Sequence, residues 1–281
     1  SSNWQNWSKS LPPSKAAVHT PESIDALSTL LKAHKSGVRP AGSGHSWMPL
    51  IPSKTAIVKL DHFADVGDVD PQTQQAWLGA GGRLHDLSPA LADRGYAFRN
   101  LGDIDVQTLA GATSTGTHGT GQTLPGLAAD IQGLRLVTGT GEHIEISADD
   151  NPEWLDGGRV ALGALGILTE IKMQLVERFK LHRQVWPESH AHTLEHAERY
   201  WRENRNFEFF YIPFSDTDLL ITHNTSEASV TPPLDDDSTS AVMELKSLRD
   251  ALKWCSPLRR WLLKRAISKA PTENIVGESW D

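Results

Sequence analysis

With 281 residues, of which 38% are hydrophobic and 22% charged, the chain has material for one large core or two ordinary ones, which excludes a disordered or fibrous protein. A formal net charge of −8 and a pI near 5.8 give it no electrostatic reason to seek a phosphate backbone, so no nucleic-acid partner is expected. The single cysteine, Cys255, rules out an intrachain disulfide and a metal site built from cysteines of this chain.

In chain order, Thr20-Pro21-Glu22-Ser23 offers an N-cap and an N1 proline, and Ile24, Leu27, Leu30 and Leu31 then fall at helical spacing as far as Gly37. A short strand at 38–39 leads into the turn Gly42-Ser43-Gly44, and another strand is predicted over 55–60. A strand over 74–78 runs into Gly79-Ala80-Gly81-Gly82, and 84–94 reads as a helix closed by Gly95. Residues 130–147 read as two strands around Thr138-Gly139-Thr140-Gly141, and 167–176 alternates as a further strand. Beyond Leu175 the texture changes to a charged helix over 193–204 and strands over 207–211 and 219–223. A polar loop over 225–240, with Pro232-Pro233 and Asp235-Asp236-Asp237, and helices over 243–253 and 258–269 complete the reading. A mixed α/β domain over 1–177 followed by a second domain over 178–281 is the expected organisation. No run approaches the roughly 20 apolar residues of a membrane span, so a soluble protein without membrane contact is expected. Because the chain starts at Ser1 rather than Met, its compartment, cytoplasmic or periplasmic, stays open.

Two segments are built almost without side chains. In Pro40-Ala41-Gly42-Ser43-Gly44-His45-Ser46 the glycines let successive backbone N–H groups close on an anion such as a pyrophosphate. A Rossmann fingerprint does not fit: Trp47 and Leu84 stand where the third glycine belongs after Gly42-x-Gly44 and Gly79-x-Gly81. An ordinary surface turn is the plain alternative. The second segment, residues 108–121, packs Thr108, Gly111, Thr113, Gly116, Thr117, His118 and Gly119 among other small and hydroxyl side chains. Backbone of this kind suits close passage beside a bulky planar ligand; a flexible Gly/Thr loop is the alternative.

In order and spacing, Gly42-Ser43-Gly44-His45-Ser46, Thr115-Gly116-Thr117-His118-Gly119-Thr120-Gly121 and Gly163-Ala164-Leu165-Gly166-Ile167 resemble the vanillyl-alcohol-oxidase-type (PCMH-type) FAD proteins, in their aldonolactone and alditol oxidase branch. Residues 207–213 resemble the opening sheet of that family's substrate-side domain. The resemblance implies a two-subdomain FAD-binding domain followed by the first part of an α+β substrate (cap) domain. It implies FAD contacts from Ala41, Gly42, Ser43, Gly44, His45, Ser46, Thr108, Gly111, Thr113, Gly116, Thr117, His118, Gly119 and Ile167, with His45 bonded covalently to the flavin and His118 as a wall or hydrogen-bond partner. It further implies oxidation of a C–OH group of a sugar-1,4-lactone or alditol by hydride transfer to flavin N5, with O₂ or another acceptor; a flavin-binding partner protein without turnover is the alternative. The family's hydroxyl-activating residues, a Glu-x-Arg pair and a basic residue, are expected beyond residue 281, and the chain is expected to be incomplete.

Three further features are read as structural. His190, His192 and His196 come close enough to suggest zinc, but the interleaved Glu188, Glu195 and Glu198 point to an exposed helix start, and no metal is expected. Glu203-Asn204-Arg205 reads as the solvated face of a helix, and the basic run Leu258 to Arg265 as a helix packed on its own domain. Asn6-Trp7-Ser8 and Asn224-Thr225-Ser226 fit the glycosylation pattern without a secretory context.

Overall fold

The computed structural model describes residues 3–213, 215–232, 255–267 and 272–280. Contacts divide the chain into two compact units. The first runs to Gly119, resumes over Leu124–Arg178 and includes Trp280; the second takes in Thr120–Thr123 and the described residues of Phe179–Ser279.

Strands β1 (Ala17–His19), β2 (Val38–Ala41) and β3 (Ala56–Lys59) of the first unit form a parallel sheet in the order β1-β3-β2. Ala56, Ile57 and Val58 are all fully buried, as a middle strand covered on both faces requires. Helix α1 (Ile24–Ala33) joins β1 to β2 and buries Leu27 and Leu31. Its N-cap is Ser23, whose hydroxyl accepts from the Ala26 N–H at 3.1 Å, so the start expected at Thr20-Pro21 is displaced by three residues. His34 closes it, ahead of Gly37.

A second sheet joins β4 (Gln75–Gly79), β6 (Ile131–Val137), β7 (His143–Ser147) and β8 (Ile167–Gln174) as an antiparallel β4-β8-β6-β7. Along β8, Ile167, Thr169, Ile171 and Met173 are buried while their neighbours are half-exposed, the alternation of a sheet with one face on the core. Against that face pack α2 (Leu84–Ala92), through Leu84, Leu87 and Leu91, and α3 (Leu109–Ser114), through Leu109 and Ala112. Each fully buried leucine contributes roughly 1.5–3 kcal/mol relative to exposure. The short strands β5 (Tyr96–Ala97) and β9 (Val176–Glu177) pair separately, and α4 (Leu155–Arg159) packs on β6. The mixed α+β class expected from the sequence is what is found.

The second unit is an antiparallel sheet of β10 (Lys180–Ser189), β11 (Asn206–Ile212), β12 (Thr217–Ser226) and β13 (Glu273–Glu278) in the order β11-β12-β10-β13. Helix α5 (His190–Glu203) packs against it and is capped by Ser189, so it starts three residues before the predicted position. Helix α6 spans Ser256–Ile267. The predicted helix over 243–253 and most of the polar loop beyond Thr231 lie outside the described residues. Glu203-Asn204-Arg205 is not a helical face: the helix ends at Glu203, and Arg205 lies over the Phe179 ring at 4.8 Å, where burial depresses its pKa from the ordinary arginine value. Among the described residues no group of three or more His, Cys, Asp or Glu is arranged to hold a metal; His192 and His196 stack on each other instead, and His190 pairs with buried Asp218 at 3.0 Å.

Candidate functional site

The loops at the ends of β2, β3 and β4 enclose, within the first unit, a cavity of about 620 Å³, in the range of small-molecule and cofactor sites. Close backbone approach shapes it. A Cβ on Gly81 would sit 1.9 Å from the Leu60 carbonyl oxygen, and one on Gly42 would sit 2.5 Å from Thr108 Oγ1. That hydroxyl is already engaged as the N-cap of α3, accepting from the Gly111 N–H at 3.1 Å. Glycine at both positions is therefore what lets the turn after β2, the turn after β4 and the start of α3 meet around one space. Ser43 is fixed in that turn by donating its hydroxyl proton to the Val106 carbonyl.

The walls are of two kinds. Trp4, Val18, Leu50, Ile51, Leu60 and Leu165 offer apolar surface. Arg39, Lys59 and Arg83 bring positive charge. Lys59 is compensated by Asp61 at 2.8 Å, whereas neither Arg39 nor Arg83 has an ion pair with any described residue. Two guanidinium groups beside glycine-rich backbone suit an anionic group such as a diphosphate, and the apolar walls suit a ring system. His45 is half-buried at the wall, its imidazole stacked on the Trp7 indole with ring centroids 4.9 Å apart.

Of the residues expected from the sequence, Ala41, Gly42, Ser43, His45, Thr108 and Gly111 come together on this wall. The others stand elsewhere. Gly44 and Ser46 belong to the same turn but face the N-terminal segment, their carbonyls accepting from Trp7 N and Asn6 Nδ2. Thr113 is fully buried in α3 and donates to the Leu109 carbonyl at 2.9 Å. Gly116 turns the chain out of α3 at φ +70°, and the Thr117 hydroxyl meets the Gln107 side chain. His118 is exposed, with Nδ1 2.9 Å from the Gly119 carbonyl; Gly119 packs on the Leu101 carbonyl; Ile167 starts β8 inside the core. The segment 108–121, expected as a continuous clasping loop, is helical over its first half, so Ala110, Ser114 and Thr115 face the cavity in place of the residues that follow.

Sequence reasoning missed Arg39, Lys59, Arg83, Trp4, Trp7 and the Ala80-Gly81 pair. Only the last left a usable signal, a Gly79-x-Gly81-Gly82 run directly after a strand, set aside because it fails as a Rossmann fingerprint. No described helix is long and apolar enough to cross a membrane.

Residues 14–147 match the family described as FAD binding domain. The chain is 37% identical over 232 residues to an L-gulono-1,4-lactone dehydrogenase of Mycobacterium tuberculosis, covering 82% of this chain and 54% of that protein. It is 30% identical over 248 residues to a mitochondrial L-galactono-1,4-lactone dehydrogenase of Brassica oleracea, covering 87% and 41%, and 28% identical over 221 residues to the L-gulonolactone oxidase of Bos taurus, covering 78% and 50%. The chain thus spans about half the length of the curated relatives it matches. Among solved structures, cholesterol oxidase from B. sterolicum superposes with a TM-score of 0.78 at 19% identity, over 100% of this chain and 61% of the other, a likeness of fold alone.

Proposed function

From a chain that belongs, through residues 14–147, to the FAD binding domain family and is kin to the aldonolactone dehydrogenases and oxidases, we propose the FAD-carrying part of an oxidoreductase acting on a C–OH group of a sugar-1,4-lactone or a related alditol, with dioxygen or another acceptor taking the electrons. The observation that carries this reading is the cavity of the first unit, where Gly42, Gly81 and Gly111 bring bare backbone beside Arg39, Arg83 and the imidazole of His45. The residues present fit the cofactor: Gly42 and Gly81 let neighbouring chain segments close together around the cavity, and Arg39 and Arg83 on its wall have no ion pair with any described residue.

When bound, FAD supplies a ring nitrogen, N5, that accepts hydride from the alcohol carbon. This chain's part is to hold and orient. Gly42 and Ser43, with Arg39 and Arg83, would hold the diphosphate through backbone and guanidinium donors. Trp4, Leu60 and Leu165 line the cavity and would exclude water from the ring system. His45 is the covalent attachment point in this reading, a neutral imidazole nitrogen being a competent nucleophile. Gly116, Thr117, His118, Gly119 and Ile167, implied by resemblance, lie off the cavity wall and take no part in this assignment. The second unit, with its strands Asn206–Ile212 and Thr217–Ser226, would open the substrate-side domain.

Anaerobic addition of sugar-1,4-lactones and alditols to the flavin-loaded full-length protein, which includes the complete substrate-side domain, tests the activity. A substrate bleaches the flavin absorption band; a loaded protein that bleaches with none of them overturns the enzymatic reading and leaves a flavin-binding protein.

A further inference from the structure

The N-terminal segment bears on His45 in a way the core does not require. Trp7 is 64% exposed, yet its indole lies on the His45 imidazole with the two planes 18° apart. Trp7 also borders the cavity, and among the described aromatic rings His45 is the one on which it stacks. The backbone on both sides of His45 is tied to the same segment: Trp7 N donates to the Gly44 carbonyl at 2.9 Å, and Asn6 Nδ2 reaches the Ser46 carbonyl at 3.4 Å. Asn6 is itself 2% exposed and locked, its Nδ2 2.9 Å from both Ser8 Oγ and Ser10 Oγ and its Oδ1 accepting from Leu11 N at 3.1 Å. Gly44 runs so close that a Cβ there would lie 3.4 Å from Asn6 Cα. The His45 ring makes no hydrogen bond to any described residue, and the Trp7 indole is the described aromatic ring on which it stacks.

An imidazole carries its N–H and its lone pair in the ring plane. A partner on the ring face therefore restricts χ2, which is otherwise broad, and leaves the in-plane lone pair uncovered. We propose that Trp7, fastened by Asn6, is the positioning residue that presents His45 to the flavin, an inference that rests on reading His45 as the attachment point. In that reaction His45 exchanges an N–H bond for an N–C bond to the flavin 8α carbon, and one C–H bond of the 8α methyl breaks. The electron pair and both protons pass to the ring system, and one dioxygen then removes the two electrons and two protons as hydrogen peroxide.

The test uses the full chain produced without flavin and then mixed with saturating FAD in air, so that differences in affinity drop out. Samples are denatured at intervals and weighed for an added FAD. The unmodified chain is expected to gain one FAD and His45→Ala none. Trp7→Leu, which keeps apolar volume without a ring, is expected to gain it roughly five- to tenfold more slowly, the equivalent of losing one aromatic contact. Trp7→Phe, which restores a ring face, is expected to recover most of the rate while both variants unfold at the temperature of the unmodified chain. Equal rates in the unmodified chain and Trp7→Leu would overturn the positioning role, as would a slow Trp7→Phe or a lowered unfolding temperature that accounts for the loss. An unmodified chain that never gains mass overturns the reading of His45 beneath it, a result distinct from either.

Discussion

Gly81 and Gly139 share a residue type and little else. The position a Cβ would take on Gly81 lies 1.9 Å from the Leu60 carbonyl oxygen and 2.6 Å from its carbon, backbone atoms of the strand end that borders the cavity. At Gly139, in the hairpin between β6 and β7, nothing lies within 4 Å. Gly81→Ala must push two chain segments apart, and overpacking of this kind costs about 1–3 kcal/mol. We expect it at the upper end of that range, together with at least a tenfold loss of FAD affinity because the displaced backbone is cavity wall. Gly139→Ala is expected to stay within about 0.5 kcal/mol of the parent. Urea unfolding of the two variants and titration with FAD check the contrast; equal stabilities would mean that the approach of Gly81 to Leu60 relaxes freely.

Helix α3 shows an element that sequence alone hides. Leu109–Ser114 is barely two turns long and interrupts its good helix formers, one leucine and two alanines, with Gly111 and a closing Thr-Ser pair, so it is too short to hold a helix by itself. Tertiary burial of Leu109 and Ala112, both fully buried, and the Thr108 cap decide its conformation. Strand β10 was invisible for a related reason: Lys180–Ser189 is mostly polar, includes Pro187, and shows only Val185 as buried, yet it is paired on both edges by β12 and β13. By contrast α1, β4, β8 and the β6–β7 hairpin were legible because their apolar periodicity matches one buried face. The turn Ala41–His45 was legible as a site from its glycines, whereas Arg39 and Arg83 carry no local mark that separates them from surface arginines. Thr108 joins these observations, since the same hydroxyl caps α3 and abuts Gly42. Thr108→Ala is expected to cost about 1 kcal/mol of stability by thermal or urea unfolding, and Thr108→Ser, which keeps the cap, only a few tenths. An alanine variant as stable as the parent would show that packing alone holds the helix.

At the scale of the molecule, the site is confined to one unit. Every residue of the cavity wall lies between Asn3 and Leu168, and the large core cluster that supports it runs from Leu27 to Leu175. The strand Val176–Glu177 closes on Tyr96–Ala97, and the Arg178 N–H donates to the Gly95 carbonyl at 2.9 Å, so the unit is hydrogen-bonded up to its last residue before Phe179. What a chain ending at Arg178 gives up from this unit is Trp280, whose ring lies 5.6 Å from the Arg178 guanidinium, a contact worth roughly 0.5–1 kcal/mol at an exposed site. Two of the cavity's cations, Arg39 and Arg83, have no ion pair with any described residue in a chain whose net charge is −8, so attraction of an anionic cofactor is local to this unit. Residues 1–178 alone are therefore expected to unfold cooperatively and to take up FAD with a Kd within about threefold of the whole chain, a difference under about 1 kcal/mol. Raising ionic strength should weaken uptake by fragment and whole chain in parallel, since the same guanidinium groups are screened. Isothermal titration of both at low and at high salt decides it: a folded fragment that leaves FAD in solution, or a salt dependence present in the whole chain and absent in the fragment, would show that the first unit is not by itself the binding unit.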